Sequence, residues 1–348
     1  MLIKLLFFLI IFTVIVVAHE GGHCIIGKMS GIGVKEFAIG LGPTIVGFRR
    51  GETLYSIKLL PLGGVTIFEG MDPDEADSEK SFRKASVGAR FATVFAGPFM
   101  NFVLAFFLSL IVIGSVGYDL PQIASVMEGY PAEEAGIRAG DKIVSINNKR
   151  IVIYRDITLW TMFNEGKTAH VVFERDGELL QTSVTPRYSE EDQRFLFGFR
   201  GPMGYTKGNP LQVIRYSATE VRYWVEMTVK SLAMLLTGHF SVNDLAGPVG
   251  VADVVGDVYE SSKEGGAYYI WINMLSLVVL LTADLGVMNL VPIPALDGGK
   301  LVFIIFEGIT GIKPDEKIEA VINFIGMAFL MVLMCYVMFH DITKLFSQ

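Results

Sequence analysis

Four long apolar segments constrain the fold of this 348-residue chain more than any other feature. They lie at about residues 2–26, 91–116, 268–291 and 318–339, and each is long enough to cross a bilayer core, which takes ~20 helical residues. Because lipid offers no partner to backbone polar groups, such segments must be helices. The sequence therefore predicts a polytopic α-helical membrane protein with four transmembrane helices.

A fifth segment, residues 211–236, is apolar but carries five charged side chains that recur too often for a lipid-exposed span. They are Arg215, Glu220, Arg222, Glu226 and Lys230. This pattern predicts an interfacial amphipathic helix.

The charge and cysteine content exclude two other classes of protein. A formal net charge of −7 gives no basis for nucleic-acid binding. Cys24 and Cys335 lie far apart on different apolar segments, so the sequence implies no disulfide framework.

The first apolar segment ends in the motif His19-Glu20-Gly21-Gly22-His23. Two imidazoles at positions i and i+4 share one helix face and can bind one Zn²⁺, while Glu20 is placed to take a proton from the attacking water. Ionisable groups at membrane depth are costly and usually mark function. The motif indicates hydrolysis inside a membrane. The alternatives are a helix end that faces headgroups and a signal peptide cleaved near Ala18, and a retained span is favoured.

A catalytic zinc usually has three protein ligands, so a third is expected among the acids in apolar surroundings. These acids are Asp284, Asp297 and, less well placed, Glu307. Spacing alone does not decide between Asp284 and Asp297. The local backbone favours Asp297, because nearby prolines break the helix and Gly298-Gly299 allow close approach.

Residues 34–70 alternate in hydrophobicity and are rich in glycine, which predicts a membrane-associated β-hairpin with a polar turn at 49–52. A strand edge beside the motif could pair with a substrate segment through main-chain hydrogen bonds. The alternative is a packed cytoplasmic hairpin with no substrate role.

Residues 118–200 contain a run of strand, turn, short helix and strand at 123–147, then two strands joined by Asp176-Gly177. This order resembles a PDZ domain of the bacterial, permuted type. Such a domain could bind extended C-termini by strand addition, or act as a steric filter that binds nothing tightly.

The charges between the first two spans predict the topology. The basic residues between Lys28 and Arg90 place that side in the cytoplasm under the positive-inside rule. Both termini and the PDZ-like region are then extracytoplasmic, and the protein is expected to lie in the cell inner membrane. The predicted segments are 1–117 (two spans and the hairpin), 118–200 (PDZ), 201–266 (amphipathic linker) and 267–348 (two spans).

Three further motifs complete an ordered set. They are Phe95–Asn101 in the second span, Leu245–Gly250 before the third, and Asn289–Gly299 at its end. Together with His-Glu-x-x-His and the central PDZ-like region, they resemble the site-2 protease family, and within it the bacterial RseP-type intramembrane zinc metalloproteases.

The resemblance implies a zinc metalloendopeptidase with Zn²⁺ ligands His19, His23 and Asp297. It implies Glu20 as general base and later proton donor, and Asn289 as a residue that holds the substrate backbone. Asp284 stands where the family usually has Asn, which puts its substrate-contact role in doubt.

The resemblance also implies substrates and partners. The substrates would be transmembrane segments of single-pass proteins already trimmed by a site-1-type protease, such as anti-sigma factors, or remnant signal peptides. The PDZ domain would exclude substrates with large ectodomains.

Two positions depart from the family pattern, and one pair of residues has an expected role in the membrane. The family usually has a bulkier residue at Gly21, and Lys300 follows the glycine pair where His or Arg is common. His340-Asp341 is expected to anchor at the headgroups. Two other function classes remain: a catalytically silent PDZ membrane scaffold, and a metal transporter, which would favour repeated halves that the sequence lacks.

Overall fold

The computed structural model describes residues 2–71, 78–239 and 246–347. Leu245 of the predicted motif, and residues 72–77 and 240–245 of the predicted segments, lie outside this range. The chain forms two compact units: a membrane unit of residues 1–108 and 231–348, and an inserted unit of residues 109–230.

Four helices in the described part of the chain are long and apolar enough to cross a membrane, in agreement with the prediction. They are α1 (Leu2–Met29), α2 (Val87–Val116), α7 (Ala267–Leu290) and α9 (Glu316–Ser347). Two shorter helices, α6 (Pro248–Ser262) and α8 (Asp297–Thr310), were not foreseen from apolar length. Phe8, Ile11 and Ile15 of α1 pack with Val255 of α6 and Met274 of α7 in one buried cluster.

The predicted hairpin is more folded than its sequence pattern suggests. Its strands are β1 (Val34–Arg50) and β2 (Thr53–Phe68). Residues 36–39 of β1 pair with 64–67 of β2 on one side and with 54–57 on the other, while 46–50 pair with 53–57. The β2 segment 64–68 is therefore an edge of the sheet, with no strand partner on its outer side among the described residues. One face of this segment packs against α1, because a Cβ at Gly64 would lie 2.8 Å from Cγ of Glu20.

The inserted unit is built around a four-stranded sheet of order β5-β4-β6-β7. The strands are β3 (Ser125–Val126), β4 (Lys142–Ile146), β5 (Lys149–Arg150), β6 (Ala169–Arg175), β7 (Glu178–Val184), β8 (Arg187–Ser189), β9 (Arg194–Leu196) and β10 (Phe199–Arg200), and the helices are α3 (Pro131–Glu134), α4 (Arg155–Phe163) and α5 (Pro210–Leu236). Strands β3 and β10 pair with each other, as do β8 and β9. Ile143 and Ile146 of β4, Phe173 of β6 and Trp160 of α4 share its buried core.

Helix α5 uses its charges within the inserted unit. Arg155 of α4 donates to Glu220 of α5 and to Asp119, and Arg222 donates to the fully buried Asp156. Although burial alone lowers the pKa of Arg155, the hydrogen bonds and negative charges of Glu220 and Asp119 raise it above its ordinary value. Two of the five charges that indicated an interfacial helix, Glu220 and Arg222, therefore hold α5 to α4.

The headgroup role expected for Asp341 is wrong. Asp341 of α9 is buried, and its Oδ2 accepts hydrogen bonds from the backbone N–H groups of Gly247 and Gly250 at 3.0 and 2.8 Å. These groups are at the N-terminus of α6, where an isolated helix leaves its donors without partners. Asp341 thus caps α6 from another helix, a contact that joins positions 91 residues apart or more.

Candidate metal centre

Three side chains from two separate parts of the chain converge at one point. His19 and His23 project from one face of α1, and Asp297 is the first residue of α8. Oδ2 of Asp297 lies 3.1 Å from Nε2 of His19 and 3.1 Å from Nε2 of His23, and the two Nε2 atoms are 3.3 Å apart. Both imidazoles are buried, with 9% and 7% of their residue surface exposed.

These distances fit a tetrahedral zinc ion. Ligands bound at ~2.0–2.1 Å around a tetrahedral ion are separated by ~3.3 Å. The three donor atoms observed here have separations of 3.1–3.3 Å, so one ion can contact all three at once. Two imidazoles and one carboxylate are also a donor set that zinc takes in catalytic sites, with the fourth position open.

Helix α2 holds both imidazoles from behind. His23 Nδ1 donates to the backbone oxygen of Thr93 at 2.9 Å, so its Nε2 carries the lone pair that faces Asp297. Nδ1 of His19 lies 3.3 Å from the side-chain amide of the fully buried Asn101. With His19 protonated at Nδ1, the amide presents its oxygen, because the N and O of an Asn amide are interchangeable by a flip. The flip gives the Nδ1–H of His19 an acceptor, whereas the unflipped amide would place two donors against each other.

Glycines allow α1 and α2 to approach closely at this point. A Cβ at Gly22 would lie 2.3 Å from the backbone oxygen of Ala96, and a Cβ at Gly97 would lie 2.2 Å from Nε2 of His23. Small residues at helix contacts are common in membrane proteins for this reason. Gly21, in contrast, has no atom within 4 Å of its would-be Cβ, so its departure from the family pattern leaves the ligands untouched.

A tight turn brings Asp297 to the imidazoles. Cβ atoms at Gly298 and Gly299 would lie 2.2 and 2.5 Å from the backbone oxygens of Val291 and Ile293. The close approach expected at this glycine pair is therefore present, and a larger residue at either position would push α8 away from α7.

A cavity of about 290 Å³ opens beside the three donor atoms. Glu20 lines it, and its Oε2 accepts a hydrogen bond from the hydroxyl of Thr66 at 2.8 Å. Gly64 and Thr66 of the β2 edge form part of the same wall, as does Asn289 of α7. The cavity thus combines a carboxylate, a polar amide and a strand edge next to the candidate ligands.

The other acids considered as third ligands are placed elsewhere. Within the described residues, the one group able to hold a metal consists of His19, His23 and Asp297. Glu307 instead accepts from Arg90 at 2.5 Å. Asp284 is half-buried on α7 and does not line the cavity. Lys300, whose departure from the family pattern had no explanation, does line it.

Sequence reasoning missed three residues that contact the candidate ligands or Glu20: Thr93, Asn101 and Thr66. Asn101 ends the motif Phe95–Asn101, which was a signal without an assigned role. Thr93 acts through its backbone oxygen, so its side chain gave no signal.

Comparison with known proteins gives matches over nearly the whole chain. Residues 7–333 match the family described as Peptidase family M50. A protein of Clostridium acetobutylicum is 35% identical over 331 residues, which are 95% of this chain and 95% of its own. Zinc metalloprotease RasP of Bacillus licheniformis is 31% identical, with 97% of this chain and 98% of its own covered. Regulator of sigma-W protease RasP of Bacillus subtilis is 30% identical with the same shares covered.

A match among solved structures covers less of the chain. The PDZ domain of an SdrC-like protein from Listeria monocytogenes matches 24% of this chain and 88% of its own, with 18% identity and a TM-score of 0.22.

Proposed function

This chain belongs to peptidase family M50 and is a zinc intramembrane protease, and from that premise we propose that it cleaves transmembrane segments of single-pass membrane proteins. The family predicted from the motifs is thereby confirmed. The observation that carries the proposal is the convergence of His19, His23 and Asp297 beside Glu20 in one cavity.

We assign His19 Nε2, His23 Nε2 and Asp297 Oδ2 as the ligands of zinc. Their mutual distances support this assignment, as do the contacts of Thr93 and Asn101 with the outer ring nitrogens. Such outer contacts fix the ring orientation of ligating histidines. When bound, zinc lowers the pKa of a water molecule towards ~7 and polarises the scissile carbonyl.

Glu20 is assigned as the group that moves the proton. Its carboxylate accepts a proton from the attacking water and then delivers it to the nitrogen of the leaving amine. The hydrogen bond from Thr66 to Oε2 orients this carboxylate within the cavity. One residue can serve both steps because the water and the leaving nitrogen occupy the same small cavity in succession.

The β2 edge and Asn289 are assigned to substrate binding. A helical substrate hides its carbonyls in its own hydrogen bonds, so it must unwind locally before cleavage. Residues 64–66 supply an open strand edge at the cavity wall, to which an unwound segment can add as a further strand. The Asn289 amide can take one further backbone group of the substrate. Asp284 lies outside the cavity lining, and we assign it no substrate contact.

We propose anti-sigma factors or remnant signal peptides as the substrate types, each trimmed first by another protease. The name of the Bacillus subtilis relative, a regulator of sigma-W protease, supports the first type. We also propose that residues 118–200 form a PDZ domain that excludes large ectodomains, and that the metal centre lies near the cytoplasmic side. Membrane proteins that accumulate in cells lacking this chain would identify the substrates.

The sharpest test of the proposed chemistry is the substitution Glu20→Gln. The variant keeps the size of the side chain but cannot accept the proton, so we expect cleavage of a model transmembrane substrate to fall by ~10²-fold or more. Zinc content, measured on the purified protein, should stay at one ion per chain.

Glu52→Gln is the matched control, since Glu52 is an exposed glutamate at the hairpin turn. It should cleave at the wild-type rate. Normal cleavage by Glu20→Gln would remove the assignment of Glu20, and absence of zinc from the wild-type protein would remove the metal centre.

A further inference from the structure

The turn that carries Asp297 contains a strained residue. Ala295, two positions before Asp297, has a φ of 77°, in the left-handed region that favours glycine. Non-glycine residues remain in this region only where their surroundings impose it. Some contact must therefore hold the Pro294–Ala295 peptide in place.

That contact comes from α9. The backbone N–H of Ala295 donates to Oδ1 of Asn323 at 3.2 Å. One helical turn further on, Gly326 is buried against Pro294, and a Cβ at this position would lie 2.6 Å from the Pro294 backbone oxygen. Residues three apart share a helix face, so Asn323 and Gly326 both contact the Pro294–Ala295 peptide group of the turn.

The rest of α9 packs sparsely, which makes this contact stand out. In the most apolar stretch of α9, only 11% of the residues are buried within the protein. Its other polar attachments include the cap that Asp341 forms on α6 and an ion pair between Glu316, at its first turn, and Arg83. The contact with the turn is therefore a specific attachment and does not result from extensive packing.

We propose that Asn323 and Gly326 are positioning residues for Asp297, an inference that rests on the proposed function. By holding Ala295 in the left-handed conformation, they fix the start of α8 and so aim the Asp297 carboxylate at the two imidazoles. Neither residue touches the three donor atoms. Their effect on zinc passes through the backbone conformation of Ala295.

The test is a double-mutant cycle on the full-length protein, read out as the zinc dissociation constant in competition with a chelator. Asn323→Leu removes the acceptor at similar volume, and we expect zinc binding to weaken ~10-fold or more, as for other residues that orient metal ligands. Ala295→Gly alone should bind zinc as the wild type does. In the double variant, Ala295→Gly should restore most of the affinity, because glycine adopts a positive φ without a partner to impose it.

Gly326→Ala tests the second half of the contact, and Gly88→Ala of α2 is its control. A Cβ at Gly88 meets no atom within 4 Å, so its variant should bind zinc normally, while Gly326→Ala should weaken binding. If Asn323→Leu does not fold, Asn323→Ala takes its place in the cycle.

The outcomes separate the two levels of the argument. Wild-type protein that binds no zinc overturns the proposed function. Wild-type protein that binds zinc, with Asn323 variants that bind it equally well, overturns the positioning role. A weakened Asn323 variant that Ala295→Gly does not restore also overturns it, because the effect then does not pass through the turn.

Discussion

The two proposed histidine ligands depend on residues of α2 that touch their outer nitrogens. Thr93 accepts from His23, and the Asn101 amide faces His19. Each contact keeps Nδ1 occupied, so Nε2 is left to face the Asp297 carboxylate.

Asn101→Ala should weaken zinc binding by ~10–100-fold, because His19 loses the partner that fixes its ring. The dissociation constant in a chelator competition measures the effect. Ser109→Ala on the same helix is the control: its buried hydroxyl has no hydrogen-bond partner among the residues that the structure describes, so its removal should leave zinc binding unchanged. Equal affinities in both variants would contradict the role of Asn101.

At this scale the sequence predicted the proposed ligands but not their supports. His19, Glu20 and His23 lie within one helical turn or so, where spacing determines geometry. Asp297 was favoured by its prolines and glycines. The contacts of Thr93 and Asn101 join residues 70 and 82 positions apart, and only the packing of α1 on α2 brings them together.

At the scale of elements, glycine sets the distance between α1 and α2. Gly22→Ala should place a methyl group against the Ala96 backbone, force the helices apart and lower both thermal stability and zinc affinity. Gly21→Ala is the matched control one position away. Its Cβ meets nothing, so it should raise stability by up to ~1 kcal/mol through helix propensity alone. Thermal unfolding and zinc titration of the two variants distinguish these effects.

The attachment of α5 to α4 makes a second prediction at this scale. Arg222→Ala leaves the carboxylate of Asp156 buried without its cation and should destabilise the inserted unit by ~1–3 kcal/mol. This range is below that of a fully buried ion pair because 39% of the Arg222 side chain is exposed to solvent. Hydrogen exchange of the α4 amides in the full-length protein measures the loss. Arg187→Ala breaks an ion pair exposed on both sides and should change exchange by less than ~0.5 kcal/mol. Similar changes in the two variants would contradict the attachment.

The elements that sequence predicted well are those with a strong period. The four spans and strands β6 and β7 follow from hydrophobic length and from alternation around Asp176-Gly177. Helices α4, α6 and α8 were missed because they are short, and because α6 and α8 also lie among glycines and prolines. The double pairing of residues 36–39 was missed as well, since alternation predicts a strand but not how many neighbours it has.

At the scale of the whole molecule, a labelling experiment can test on which side of the membrane the hairpin and the inserted unit lie. We expect the hairpin in the cytoplasm and the inserted unit outside, from the basic residues between the first two spans. In a chain with Cys24 and Cys335 replaced by serine, Glu178→Cys should react with a membrane-impermeant maleimide in intact cells. Glu52→Cys should react only after the cells are opened. The reverse pattern would invert the topology.

The open edge of β2 beside Glu20 has a consequence for selectivity. Main-chain hydrogen bonds do not depend on side-chain identity. An enzyme that binds its substrate through such bonds would therefore select the transmembrane segment whose helix unwinds most readily. Thr66 lies on this same edge and donates a hydrogen bond to Glu20, so under the proposed function substrate docking and proton transfer would involve the same strand. Leucine-rich transmembrane helices, which are stable, would then be cleaved slowly. Segments with glycine or asparagine, which lower helix stability, would be cleaved faster.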